Sequence, residues 1–492
     1  VSTVPQDRFL IYKTKYTNLF VSVLGLFSII ILGALYFRVA DNDLFARLAT
    51  GRLIFESSQI PLQDPFAYSL TKDLWIDHEW LSAVFFYWTY HNSGDFGLFC
   101  LNLGIGLATL FFLRAAQREL GSDSQIQVLL LFLVLWPSSF IWNSTVRSQV
   151  FTFLLFAVEL FILARIKISG RYSFALFLIP IITLWANFHG GFVVGLGFLI
   201  LAAFGLGVSN WRLGIFLVLI AGISLLTILF LNPYGLSYYG FIIEAVTKTR
   251  LEITEWGMTK VSAANGIFYS ICLAVLLLLI SKYRIYLGLE AVLFLLVSMF
   301  FGIKHQRHVP FFLFTAAIYL PGAVSYYINA SGSWFSRRIV ALSNVVAFVL
   351  PVGILVESIL LVNVGINWRT FSLDYSQYPV EAMDWLKANS QGGKVLVHFN
   401  EGSYVLWKGY PNFKVSIDGR YEEVYPDSTF EKALAALNPS SPKFRESFLE
   451  LSPDFVILCQ STTPFEVAKS FPGSWKMIFE EDSKNCAVFG MF

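Results

Sequence analysis

Eleven apolar segments approach the roughly 20 residues a helix needs to cross a bilayer core: 18–38, 96–113, 126–142, 149–164, 173–188, 191–208, 213–231, 264–281, 285–302, 309–328 and 338–363. So many runs of that length force a chain to fold with lipid, rather than water, as its main solvent. Composition agrees: only 14% of the 492 residues are charged, whereas an ordinary soluble domain carries roughly 25%. The 49 Phe, 22 Tyr and 13 Trp suit lipid-facing surfaces with aromatic belts at both interfaces. A net charge of +2, with no concentrated Lys and Arg patch, gives no reason to expect a nucleic-acid partner.

Short loops rich in Lys and Arg mark the cytoplasmic side. With the N-terminus inside, the inner loops hold Arg114 and Arg118, then Arg165, Lys167 and Arg171, then Arg212, then Lys282 and Arg284, then Arg337 and Arg338. Every inner connection is basic. The basic stretch with Arg8, Lys13 and Lys15, followed by no small-residue cleavage site, predicts an uncleaved first span. The segment Glu79 to His91, EWLSAVFFYWTYH, is apolar but short, and counting it as a span would invert every later loop. It is expected to be an interfacial or re-entrant helix.

From about residue 370, β-rich runs alternate with amphipathic helical ones. PVEAMDWLKANS reads as a helix; KVLVHF, KVSIDG and DFVILC read as strands, and WKMIFEE and CAVFGMF close the chain. Strands separated by helical patterns predict a small α/β domain, with no GxGxxG or P-loop string to suggest a nucleotide site. Cys100 and Cys272 fall in apolar spans; Cys459 and Cys486 sit on two of the strands, where an oxidising compartment would permit a bridge if the strands are neighbours. The predicted architecture is a polytopic α-helical membrane protein of about 11 spans over residues 1–368, with a first outer loop at 39–95 and a soluble extracytoplasmic α/β domain over 369–492. In a bacterium that domain would be periplasmic.

Residues 39–95 greatly exceed the roughly 2–8 residues usual between bundled helices, and their acids include Asp41, Asp43, Asp64, Asp77 and Glu79, with His78 among them. A carboxylate at an apolar boundary has a raised pKa unless paired, which suits a general base, and two together can hold a divalent cation. Asp-Asn-Asp before an apolar helical run is equally a helix N-cap. Further polar groups fall at outer helix ends: Trp142, Asn143 and Arg147; Asn187, His189 and Gly190; a turn at Asn232, Pro233, Tyr234 and Gly235; Glu255 and Trp256; Lys304, His305, Arg307 and His308. The last group is basic on the wrong side of the membrane, so an anionic partner is expected. Arg147 and Arg307 suit a phosphate, because a guanidinium offers a bidentate fork and dehydrates more readily than an ammonium. The structural alternative is pairing with the acidic loop.

DNDLFARLATGRLIFESSQIPLQDPFAYS with WIDHEWL, then VRSQ, WANFHGG, LNPYG, TEWG, RHVPFF and SIDGRYEEVY resembles a group of bacterial GT-C-like membrane glycosyltransferases of mostly unassigned substrate. The resemblance implies a first-loop acid, Asp41 or Asp43, that activates the acceptor or binds a metal. It also implies outer-face bases, Arg147, Arg307 and His308, that hold the phosphate of a polyprenyl-linked sugar. From their place at outer helix ends and in the acidic loop, His78, Glu79, His189 and Lys304 are further candidate substrate contacts. Where the family has an aromatic pair and a His after the acidic pair, this chain has Phe45, Ala46 and Arg47, which speaks against a metal there. The implied partners are membrane lipid, a polyprenyl-phosphate sugar donor, a sugar or protein acceptor and a membrane protein complex. The alternative is a non-catalytic GT-C-like scaffold that binds partner proteins through its outer domain. A transporter would show paired broken spans in matching halves, which are not evident.

Overall fold

A computed structural model describes residues 40–120, 145–248, 254–259, 270, 274, 287–330, 372–483 and 485–491. The helices, in chain order, are α1 (Asn42–Ser57), α2 (Trp80–Glu119), α3 (Gln149–Ser169), α4 (Leu178–Phe188), α5 (Phe192–Gly207), α6 (Trp211–Leu231), α7 (Leu236–Thr247), α8 (Leu289–Lys304) and α9 (Val309–Ala330). Among the described residues α2, α3 and α6 are long and apolar enough to cross a membrane; Tyr172–Phe188 and Phe192–Gly207 are apolar but shorter. The expected spans at 96–113, 149–164, 173–188, 191–208, 213–231, 285–302 and 309–328 all fall on helices. Those at 18–38, 126–142 and 338–363, with Trp142 and Asn143, lie outside the described residues, as does nearly all of 264–281.

α2 breaks at Gly94, whose φ of 57° is left-handed, so the apolar arm 80–93 is a helix distinct from the longer one that follows. Residues 39–79 are not the open loop expected. They contain α1, which is buried almost all round, from Leu44 to Gly51 without interruption. A Cβ at Gly51 would stand 2.1 Å from the Ala83 carbonyl oxygen, so only glycine lets α1 cross the α2 arm this closely. Its burial among protein elements explains why its polar residues hid it from a hydropathy reading.

Two of the expected inner bases are paired with acids, and Lys282, Arg284, Arg337 and Arg338 lie outside the described residues. Arg165 pairs with Glu119 at 2.6 Å, and Lys167 pairs with Glu290 at the start of α8. The starts of α1 and α3 and the end of α8 share one cavity.

The C-terminal domain comprises α10 (Val380–Asn389), β1 (Gly393–Leu396), α11 (Phe399–Gly409), β2 (Phe413–Val415), α12 (Tyr421–Val424), α13 (Asp427–Ala436), α14 (Phe444–Leu451), β3 (Phe455–Cys459), β4 (Trp475–Glu480) and β5 (Cys486–Met491). Its sheet runs β2-β1-β3-β5-β4, parallel through β3 and antiparallel beyond. The runs KVLVHF, KVSIDG and DFVILC overlap β1, β2 and β3, the closing runs WKMIFEE and CAVFGMF hold β4 and β5, and the near-continuous apolar runs of β3 and β5 fit strands covered on both faces. β3 and β5 are neighbours, and Cys459 and Cys486, directly opposite each other, form a disulfide. The edge at β2 is closed by the segment that follows α1: Val415 N–H donates to Phe66 O at 3.1 Å, and Tyr68 N–H donates to Val415 O at 3.0 Å.

Candidate active site

Asp41 is the N-cap of α1, its Oδ1 accepting from Asp43 N–H at 3.0 Å, so the capping expectation holds. Capping uses only one of its oxygens. Oδ2 accepts from the Thr145 hydroxyl at 3.2 Å and lies 3.7 Å from Arg147 Nε. Arg147 also donates to Asp43 Oδ2 at 2.8 Å and Glu255 Oε1 at 2.9 Å. Burial lifts the Asp41 carboxyl to about 6, against the pull of Arg147. Arg147, expected to hold phosphate, thus has its guanidinium occupied by carboxylates; the structural alternative describes its present contacts.

One turn further along α1, Arg47 sits at the centre of a second cluster. It hydrogen-bonds Asp77, donates to both Glu423 oxygens at 2.9 and 3.1 Å, and lies 3.2 Å from Glu79 Oε2. His78 Nδ1 lies 3.1 Å from Glu423 Oε1. Burial disfavours charge on Glu423, but Arg47 and His78 outweigh it and hold its carboxyl at about 2. Burial also opposes charge on His78, yet Glu423 and Glu79 lift the imidazole to about 9. Asp77 goes the other way: burial raises it to about 6 although Arg47 is in contact.

A histidine ordinarily near 6.5 and held at about 9 contributes stability that is complete below pH 6.5 and lost as pH rises through 9. The loss is at most roughly 3 kcal/mol. Thermal unfolding of the detergent-solubilised protein should fall in midpoint between pH 6.5 and 9, with the slope reduced in His78→Gln. A flat wild-type profile over that window would contradict the charge assignment.

His189 caps the C-terminus of α4. Its Nδ1 accepts from Gly191 N–H at 2.8 Å, so the ring proton is on Nε2, which lies 3.3 Å from Glu79 Oε1. Thr152 takes a hydrogen bond from the Trp185 indole at 2.8 Å and is left to donate to the same Nδ1 at 2.9 Å. Burial and the nearby His78 keep His189 neutral by lowering its pKa well below the usual value. The sequence motifs interlock here: Asn187 Oδ1 accepts from Trp80 and from Asn232, while Tyr234 Oη accepts from Asp77 N–H.

The basic group sits where α8 ends and the 3-10 turn Gln306–His308 begins. Arg307 lies over the Trp256 ring at 4.5 Å, and His305 Nδ1 contacts Trp256 O at 2.6 Å. Burial and Arg307 depress His308 to about 3, so it is neutral. Within this group Arg307 and Lys304 carry fixed positive charge into the cavity that Arg147 also lines.

Asp41, Asp43, His78, Glu79, Arg147, His189, Lys304, Arg307 and His308 all line one cavity of about 1010 Å³. Sequence reasoning brought these groups to one face; it did not find Glu423, Tyr378, Asn400 or Tyr421, which the C-terminal domain adds to the same cavity. The acids following Arg420 in SIDGRYEEVY were the available signal. The cavity also has an apolar arm, formed by Val193, Val194, Gly197 and Leu201 of α5 and by Val297 and Phe301 of α8.

The acids do not fit a divalent cation. Asp41 and Asp43 are bridged by Arg147, and Asp77, Glu79 and Glu423 by Arg47, so an incoming dication would meet a fixed guanidinium at each place. Among the described residues no group of three or more His, Cys, Asp or Glu is arranged to hold a metal ion.

No protein-family model matches this chain, and no curated protein matches it by sequence. Solved structures do match. The Archaeoglobus fulgidus oligosaccharyltransferase superposes at a TM-score of 0.58 and 12% identity, over 90% of this chain and 70% of that one. ArnT from Cupriavidus metallidurans bound to undecaprenyl phosphate superposes at 0.52 and 12%, over 96% of this chain and 97% of that one. The arabinofuranosyltransferase AftD from Mycobacteria gives 0.55 and 12%, over 96% of this chain but 40% of its own. This chain has the GT-C fold. The fold brings the segment 40–79, a helix bundle and the C-terminal domain together at one cavity. At 12% identity the likeness is one of fold, and the work of this GT-C cavity must be read from its own residues.

Proposed function

We propose that the chain is a glycosyltransferase that takes a sugar from a polyprenyl phosphate at the outer face of the membrane. The observation that carries this reading is the single cavity with a carboxylate of raised pKa, Asp41, on one wall, Arg307 and Lys304 on another, and an apolar arm beside them. A lipid-linked sugar cannot leave the bilayer, so its reacting carbon must be reached where helices end and an apolar channel meets charge. The ArnT and oligosaccharyltransferase structures that share the fold hold undecaprenyl phosphate and dolichol-phosphate respectively.

In the proposed step an acceptor hydroxyl or amine attacks the anomeric carbon as Asp41 takes its proton, with Asp43 beside it. The bond between that carbon and the phosphate oxygen breaks, and the oxygen leaves with the electron pair. Arg307 and Lys304 stabilise the charge that develops on the lipid phosphate. Arg147 holds the two acids in place and is poised to turn to the phosphate if substrate displaces Glu255, the more exposed of its partners. The Cys459–Cys486 disulfide supports an extracytoplasmic C-terminal domain.

Binding tests the donor half of the reading. Native mass spectrometry of the detergent-solubilised protein should show retained undecaprenyl phosphate, with affinity falling at least about tenfold in Arg307→Gln, the loss expected for one charge-assisted phosphate contact. Gly197 offers an independent probe, because a Cβ there meets nothing within 4 Å on the arm's wall. Gly197→Phe should therefore fold normally and still exclude the lipid. Undiminished binding in both variants would contradict the assignment. A scaffold that only binds partner proteins is favoured by the saturated pairing of Arg147, and it predicts that neutralising Asp41 and Asp43 leaves function intact.

A further inference from the structure

We infer that the outer-domain wall of the cavity, centred on Phe399, Asn400 and Tyr421, seats a saccharide acceptor. The inference rests on the transfer reading and names the class of its second substrate. Tyr421 packs edge-on against Phe430 with centroids 4.3 Å apart, and Phe399 lies 5.6 Å from the same ring. Phe430 is 4% exposed and backs the other two, which are only part-buried and line the cavity. Aromatic faces of this kind pack against the C–H faces of sugar rings, an apolar contact that tolerates the surrounding hydroxyls.

Planar amides border the rings. Asn400 uses its carbonyl to accept from Asn42 Nδ2 at 3.1 Å, and Gln377 is an exposed residue of the same wall. An amide both donates and accepts, which matches hydroxyl and N-acetyl groups. Asn42 lies between Asp41 and Asp43, and a Cβ placed on Gly419 would be 3.4 Å from Asp43 Oδ1. A ring stacked on this wall therefore presents its hydroxyls to the acids, while the donor phosphate sits with Arg307 on a different element.

Tyr421 has a φ of 26°, a left-handed backbone that a tyrosine rarely adopts. The neighbouring Arg420 is fixed by Asp418 and Asp64, and this anchor holds the strained turn that puts the ring on the cavity wall. The β2 edge of the sheet is already paired with Ala67, so a peptide cannot add there as a further strand.

Saturation-transfer NMR on the full chain in nanodiscs tests this with maltotetraose, mannotetraose and chitotetraose as probes and a Gly-Ser-Ala-Thr peptide as the contrast. At least one tetrasaccharide should bind, with affinity lowered at least about tenfold by Phe399→Ala and by Tyr421→Gly. Glycine accepts the φ at 421, so the second variant removes the ring while relieving the backbone. Undecaprenyl phosphate binding should be unchanged in both. No tetrasaccharide bound by the wild type, unaltered binding in both variants, or binding of the peptide alone would overturn the inference. Saccharide binding by a protein that does not take up undecaprenyl phosphate would instead overturn the transfer reading.

Discussion

Asp41→Asn should abolish sugar transfer, with a loss of about 10²–10⁴-fold for a missing general base, while the protein still folds and binds undecaprenyl phosphate. Asparagine caps a helix about as well as aspartate, so the hydrogen bond to Asp43 N–H that starts α1 survives. The change removes a carboxylate, not a cap. Because burial holds Asp41 at about 6, the wild-type rate should fall as pH drops through that value: below it the group is protonated and cannot accept a proton. Asp43→Asn should cost less alone, since Asp43 is the more exposed acid and is paired directly with Arg147. A pH–rate profile and single-turnover rates with a polyprenyl-phosphate sugar separate these effects. Full activity of the Asp41→Asn, Asp43→Asn double variant would favour the scaffold reading.

Arg420→Ala should be the most destabilising single change at the junction of the two domains, by about 3–5 kcal/mol, because it leaves buried carboxylates without their counter-charge. Arg420 is fully buried with both partners, forking onto Asp418 and reaching Asp64 in the segment between α1 and α2. Its guanidinium also lies 4.9 Å from the Phe66 ring and 4.8 Å from the Trp75 ring. Burial opposes charge on Asp418, but Arg420 overcomes it and holds the carboxyl below its usual range. Arg420→Lys should fail to rescue, since an ammonium can neither fork onto Asp418 nor stack between two rings. Thermal unfolding and limited proteolysis read the loss; a variant within about 1 kcal/mol of wild type would mean that other contacts dock the domain.

The two predictions concern features that were unequally legible in sequence. Lipid demands long apolar runs, so the helices at 149–169 and 211–231 announce themselves. The C-terminal strands were equally plain, because short β-rich runs are separated by helical patterns. α1 and α7 were not legible: each is too short or too polar to read as a span, and each is held by tertiary contacts. At the site, polar groups at helix ends marked the cavity because a polar residue there is either solvated, paired or used. Their pairing could not be read. Glu423 reaches Arg47 across 376 positions of sequence, and no local pattern reports a contact of that range. The unusual Phe45-Ala46-Arg47 was visible, but its meaning, a fixed cation among three carboxylates, came only with the fold.

Cryo-electron microscopy of the protein in nanodiscs with undecaprenyl phosphate tests the central claim most directly. The account predicts phosphate density within hydrogen-bonding distance of Arg307, facing Asp41 across the cavity, with the prenyl chain running along the arm lined by Gly197 and Phe301. Lipid bound elsewhere on the bundle, with the cavity closed between Asp41 and Arg307, would contradict it.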